Sequence, residues 1–153
     1  MTKDTGLQKT AEIIYDYAEN KTTYQTDKIV TIPSSAYLDQ DIWEAEVSKI
    51  FKELPLALAT TAELREPHSY KAMDAAGLPV LMTRGKDGVV RAFLNVCSHR
   101  AAAVAENGCG IKKRFACNYH GWTYSADGRL MGVAEGNTFG DVDKSTLGLR
   151  ELP

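Results

Sequence analysis

Apolar side chains recur at Leu7, Ala11, Ile14 and Tyr15. This is the spacing of one helix face, and it predicts a short helix over residues 7–17. Residues 18–34 are polar, with Pro33 followed by two serines, and read as a linker or extended arm. A second helix is predicted over 39–53. Asp39 can cap it, Trp43, Val47, Ile50 and Phe51 fall on one face, and Leu54-Pro55 ends it. Tyr37 and Trp43 are read as helix-packing residues. From about Tyr70 the period shortens to two. Pro79-Val-Leu-Met-Thr83 and Val89-Val-Arg-Ala-Phe-Leu94 flank Gly85-Lys-Asp-Gly88, and Asp-Gly between two such runs signals a hairpin. Short strand-like runs and glycine turns follow. The pattern divides the chain into an N-terminal helix and arm (1–35), a helical lead-in (36–67) and a small mainly-β domain (68–153).

Composition narrows the class. The 153 residues are 44% apolar and 25% charged, enough to bury a core without disulfide staples. No apolar run is long enough for a transmembrane helix, and Met1 to Thr10 lacks the apolar stretch of a signal peptide. The expected compartment is the cytoplasm, with no membrane association. The net charge of −2 hides an acidic first half and a basic second half. No basic stripe interleaves with aromatics, which argues against nucleic acid as a partner. The three cysteines do not make a complete disulfide framework, and cysteines near histidines in a cytosolic chain point to metal or redox chemistry.

Two motifs carry that chemistry: Cys97-Ser98-His99-Arg100 and Cys117-Asn118-Tyr119-His120-Gly121-Trp122, with 17 residues between His99 and Cys117. Each places one thiolate and one imidazole on a tight loop after a strand-like run. Together they offer two sulfur and two nitrogen ligands. A structural zinc site is the competing reading, since two cysteines and two histidines are a zinc ligand set. Cys-x-His is a tight spacing for one tetrahedral ion and better suits a wider object, in which the residues of each loop reach different metals.

Cys97-x-His99-Arg100 and Cys117-x-x-His120-Gly121-Trp122-x-Tyr124, followed by Asp127-Gly128-x-Leu130, resemble the Rieske domain of ring-hydroxylating oxygenase large (α) subunits. The resemblance covers about residues 70–135 closely and 34–69 more loosely. It implies a mainly-β, Rieske-type small β-sandwich or barrel with two cluster-binding loops and an N-terminal helical extension. It also implies a [2Fe–2S] cluster, with Cys97 and Cys117 on one iron and His99 and His120 on the other. Arg100, Trp122 and Tyr124 surround the ligands. The family usually has glycine and proline where this chain has Ala101 and Asn118, departures expected to shift loop geometry and leave ligation intact. The extra cysteine pair of respiratory-chain Rieske proteins is replaced by Ala102 and Tyr119. Tyr124 is expected to reach a ligand sulfur. Trp122 stands where high-potential relatives carry serine, which implies the lower part of the Rieske range.

The implied function is one-electron transfer. A ferredoxin or reductase donates, and the non-haem iron of an oxygenase catalytic domain accepts. That iron normally sits in a facial triad of two histidines and a carboxylate. The chain has three histidines, and only His68 remains outside the cluster motifs. No triad is expected here, so the chain by itself is not expected to hydroxylate. A stand-alone Rieske ferredoxin is the alternative, and a structural zinc module a weaker one. Cys109, in a Gly-Cys-Gly turn, is read as a bystander, Lys112-Lys113-Arg114 as a solvated loop and His68 as an ordinary surface residue.

Overall fold

The computed structural model describes residues 5–26 and 28–153, which fall into two units, one ending at Trp43 and the other spanning Glu44–Pro153. In the first unit, α1 (Thr5–Glu19) extends the predicted helix by about a turn. Its predicted face stays on the surface: Leu7, Ile14 and Tyr15 are all exposed. An irregular arm leads to the short α2 (Ser35–Leu38). Asp39 caps α3 (Gln40–Glu46) as its side chain implies, accepting the N–H of Asp41 (2.9 Å) and Ile42 (3.2 Å). The predicted single helix over 39–53 instead ends in a π-helical turn, Val47–Phe51, closed by Lys52 N–H to Val47 O. The wider turn adds a residue and rotates the stripe begun at Trp43. Tyr37 and Trp43 are 74% and 53% exposed, so neither is buried in helix packing as the sequence suggested.

The second unit holds seven strands in two open antiparallel sheets, and no closed barrel forms. β1 (Ser69–Ala75), β2 (Leu78–Arg84), β3 (Val90–Leu94) and β4 (Gly108–Ile111) make one sheet in the order β3-β2-β1-β4. β5 (Arg114–Ala116), β6 (Thr123–Ser125) and β7 (Leu130–Gly132) make the other in chain order. Ala76 and Gly77 join β1 to β2 with φ of 49° and 79°, the paired left-handed geometry that matches strand twist in a two-residue hairpin. The predicted β2–β3 hairpin forms over Gly85–Gly88, with Gly85 N–H donating to Val89 O at 2.8 Å. Among the described residues, no helix is long and apolar enough to cross a membrane.

β2 faces two cores, which is why Val80 to Thr83 read as a continuous apolar run ending in a buried threonine. Leu81 joins Ala72 and Phe93 against Phe115, Tyr124 and Leu130 of the second sheet. Val80 and Met82 meet Leu64 on the opposite face. The buried Thr83 hydroxyl donates to Ala126 O, linking the sheets. Residues 150–152 return along the free edge of β3, where Leu94 N–H donates to Arg150 O and Leu152 N–H to Ala92 O.

Candidate metal centre

Each sheet contributes one loop to the site. Residues 97–102 follow β3, and residues 117–122 join β5 to β6. The two loops are copies of one turn. Cys97 N–H donates to Ala102 O (2.7 Å), and Ala101 N–H to Cys97 O (2.8 Å). Cys117 N–H donates to Trp122 O (2.8 Å), and Gly121 N–H to Cys117 O (2.9 Å). The fourth residue after each cysteine is left-handed: Ala101 at φ 57° and Gly121 at φ 65°. Ala101 therefore holds a conformation that disfavours any residue with a Cβ, by roughly 1–2 kcal/mol. Asn118 sits in the turn without a positive φ. The histidines break the symmetry, falling two residues after Cys97 and three after Cys117.

Cys97 and Cys117 are buried in the core shared by the two sheets. The rings of His99 and His120 lie 4.7 Å apart, centroid to centroid, and both are half-buried. The structure thus pairs the two imidazoles and buries both cysteines in one core, to which the ring beneath His99, Trp122, also belongs. Trp122, buried, stacks on His99 at 5.1 Å and 11°. Tyr119 lies over His120 at 3.8 Å and remains exposed. Arg100 points to solvent and reaches the site only through its charge.

Tyr124 is fully buried, with its Oη 3.2 Å from Cys97 Sγ. The same oxygen accepts Ser98 N–H at 3.0 Å, which leaves the hydroxyl proton free to point at the sulfur. Burial, and then the bond to Cys97, push this hydroxyl up to about 12, so it stays a donor. Burial, then His120 and Arg100, push the His99 imidazole below its ordinary value and favour the neutral ring that a metal needs.

The residues fit an [2Fe–2S] group by their donor chemistry and by one orphaned atom. His120 Nδ1 is buried with no hydrogen-bond partner, which is costly unless something else occupies its lone pair. Trp122 Nε1 is likewise buried without a partner. Among the described residues, no three His, Cys, Asp or Glu side chains gather as the shell of one ion.

Sequence reasoning missed two contributors. Asn95 is buried, accepts the N–H of Val104 (3.2 Å) and Ala105 (3.0 Å), and donates to Ala105 O (2.7 Å). It staples the base of the first loop. Its place two residues before Cys97 was the available signal. Phe139 packs edge-on to His99 at 5.2 Å, from a segment with no periodicity to betray it. Two readings need correction. Cys109 lies in strand β4, opposite Lys71, and not in a turn. His68 is left-handed (φ 71°) and half-buried, its N–H donating to Arg84 O and its carbonyl accepting Lys112 N–H. It ties the start of β1 to the end of β2 and is no ordinary surface residue.

Two cysteine–histidine loops on paired antiparallel sheets define an iron–sulfur class of domain, and the comparison with known families agrees. Residues 55–140 match the Rieske [2Fe–2S] domain, and the chain belongs to that family; its cofactor is a Rieske-type [2Fe–2S] cluster. Its relatives include large subunits of ring-hydroxylating dioxygenases and oxygenase subunits of monooxygenases. The large oxygenase component of the 2,4-dinitrotoluene dioxygenase system of Burkholderia sp. (strain RASC) is 37% identical over 119 residues, 76% of this chain and 26% of that protein. The structure of naphthalene 1,2-dioxygenase from Rhodococcus sp. bound to indole matches with a TM-score of 0.73 and 28% identity, over 100% of this chain and 33% of that one. A quaternary ammonium Rieske monooxygenase, described for carnitine oxidation and inter-subunit electron transfer, matches with a TM-score of 0.68 and 31% identity, over 80% of this chain and 34% of that one. The chain spans about a quarter to a third of the length of these relatives.

Proposed function

We propose that Cys97 and Cys117 hold one iron of the cluster and His99 and His120 the other. We further propose that the chain is the electron-transfer part of an aromatic-ring-hydroxylating-type oxygenase. It takes one electron from a ferredoxin or reductase and passes it to the non-haem iron of an oxygenase catalytic domain. The carrying observation is the pairing of the two half-buried imidazoles, one with an orphaned Nδ1, beside two buried thiols on matched turns.

When bound, the cluster supplies a one-electron couple whose neutral imidazoles raise its potential above that of an all-thiolate centre. The chain's own residues shape that couple. Tyr124 donates to the Cys97 sulfur and favours the more negative state. The matched turns fix both cysteines, and Asn95 fixes the first loop. The relative described for inter-subunit electron transfer suggests that the acceptor iron lies in a neighbouring subunit. We place the chain in the reducing cytoplasm, where cysteines near histidines serve metal and redox chemistry. We place the Rieske domain at 68–153, after the helical lead-in.

The test is chemical analysis of the purified chain. Iron and acid-labile sulfide in equal amounts, with an electron paramagnetic resonance signal after reduction, are expected. His99→Ala and His120→Ala are each expected to lose the cluster while Cys109→Ser keeps it. A colourless protein holding one zinc would end this reading.

A further inference from the structure

We infer that Phe139 is a positioning residue for the metal centre: with Trp122 it closes an apolar cap over His99 that keeps water from that edge of the site and holds the reduction potential down. The inference rests on His99 being a cluster ligand. The two imidazoles are covered differently. His99 has Trp122 stacked on one side (5.1 Å, 11°) and Phe139 edge-on (5.2 Å, 86°). Trp122 and Phe139 also touch each other at 5.9 Å, so the three rings form a closed group. His120 carries Tyr119 instead, which is 59% exposed.

Phe139 belongs to neither sheet. It follows a single 3-10 turn, Gly136–Thr138, and packs on the core in company with Val133, Val142 and Leu147. The turn is preceded by Glu135 at φ 50° and followed by Gly140 at φ 69°. Glu135 is a residue with a Cβ in left-handed backbone, a conformation that persists when its surroundings impose it. Thr138 Oγ1 donates back to Glu135 O at 2.8 Å and Phe139 N–H to Gly136 O at 3.2 Å, which fixes the turn that presents the ring.

The physical effect follows from charge. Two ferric ions, two sulfides, two thiolates and two neutral imidazoles sum to a neutral centre, and the added electron makes it negative. An apolar cover lowers the local dielectric and disfavours the charged state, whereas water favours it. Removing the cover therefore raises the potential.

The experiment compares Phe139→Ala, Phe139→Leu and the control Met131→Ala in the iron-loaded full chain. Phe139→Ala is expected to keep its iron, to shift the potential positive and to speed deuterium exchange at the His99 ring N–H, read by pulsed electron paramagnetic resonance of the reduced protein. Phe139→Leu is expected to shift less, and Met131→Ala not at all. A wild-type potential and exchange rate in an iron-replete Phe139→Ala protein would overturn the inference, as would an equal shift in Met131→Ala. If Phe139→Ala loses iron, Phe139→Leu decides: a positive shift supports the cap and none refutes it. Full cluster retention in His99→Ala would instead overturn the ligand assignment beneath it.

Discussion

At the scale of single residues, the two turns of the metal centre differ at one informative position. Gly121 suits φ 65°, and a Cβ there would come within 2.7 Å of Ala134 Cβ. Ala101 has the same backbone conformation without glycine's freedom. Ala101→Gly is therefore expected to stabilise the protein by about 1 kcal/mol, the relief of left-handed strain less the added entropy of an unfolded glycine. Chemical denaturation would measure it, and a clear loss of stability would show that the methyl group contributes packing that outweighs the strain. Tyr124→Phe removes one hydroxyl and nothing else. It leaves Ser98 N–H without its acceptor and the Cys97 sulfur without its donor. Iron should be retained and the potential should fall, since the reduced centre loses a hydrogen bond. Voltammetry checks this, and an unchanged or higher potential would remove Tyr124 from the set of tuning residues.

At the scale of elements, the β2–β3 hairpin was legible because its turn is written in adjacent residues; the two-residue turn at Ala76-Gly77 was not read from the sequence. Asp87 accepts Val89 N–H (3.1 Å) and pairs with Arg91 (2.7 Å), so the β2–β3 turn is held by its own side chains. The glycine after Ser-Ala-Asp was visible as a turn residue, yet its neighbour was not. Gly128 lies at φ 81°, and a Cβ there would meet the Phe93 ring at 2.5 Å. Its carbonyl also accepts Leu149 N–H. Gly128→Ala should cost roughly 2–4 kcal/mol, from left-handed strain and overpacking against a core ring together. Thermal unfolding would show it, and a near-neutral variant would mean that Phe93 can move aside. The second helix was legible from its cap and its stripe. Its passage into a π-helical turn was not, because Trp43, Val47, Ile50 and Phe51 keep ordinary α-helical spacing through it.

At the scale of the whole molecule, everything that builds the metal centre lies in residues 44–153. Both loops, both sheets and the returning 150–152 segment belong to that unit. A chain beginning at Glu44 is expected to keep its iron and its absorption spectrum. Loss of the cluster on removing the first 43 residues would show that the N-terminal unit is needed for assembly. Apolar residues of α1 and the arm, among them Ile14, Ile29 and Val30, are exposed.

By itself the sequence determined the chemistry: two thiols and two imidazoles at short fixed spacings, on loops bounded by period-two runs. Those features are local, so adjacent residues specify them. It also determined the β2–β3 hairpin and the Asp39 cap, for the same reason. Only the tertiary structure decided which rings surround the histidines. Phe139 reaches His99 from 40 positions away, through a segment whose own sequence has no period. Only the structure placed Asn95 beneath the first loop and bent His68 into a left-handed link between strands. These depend on which surfaces meet when two sheets close on one core, and no local pattern of apolar and polar residues encodes that meeting.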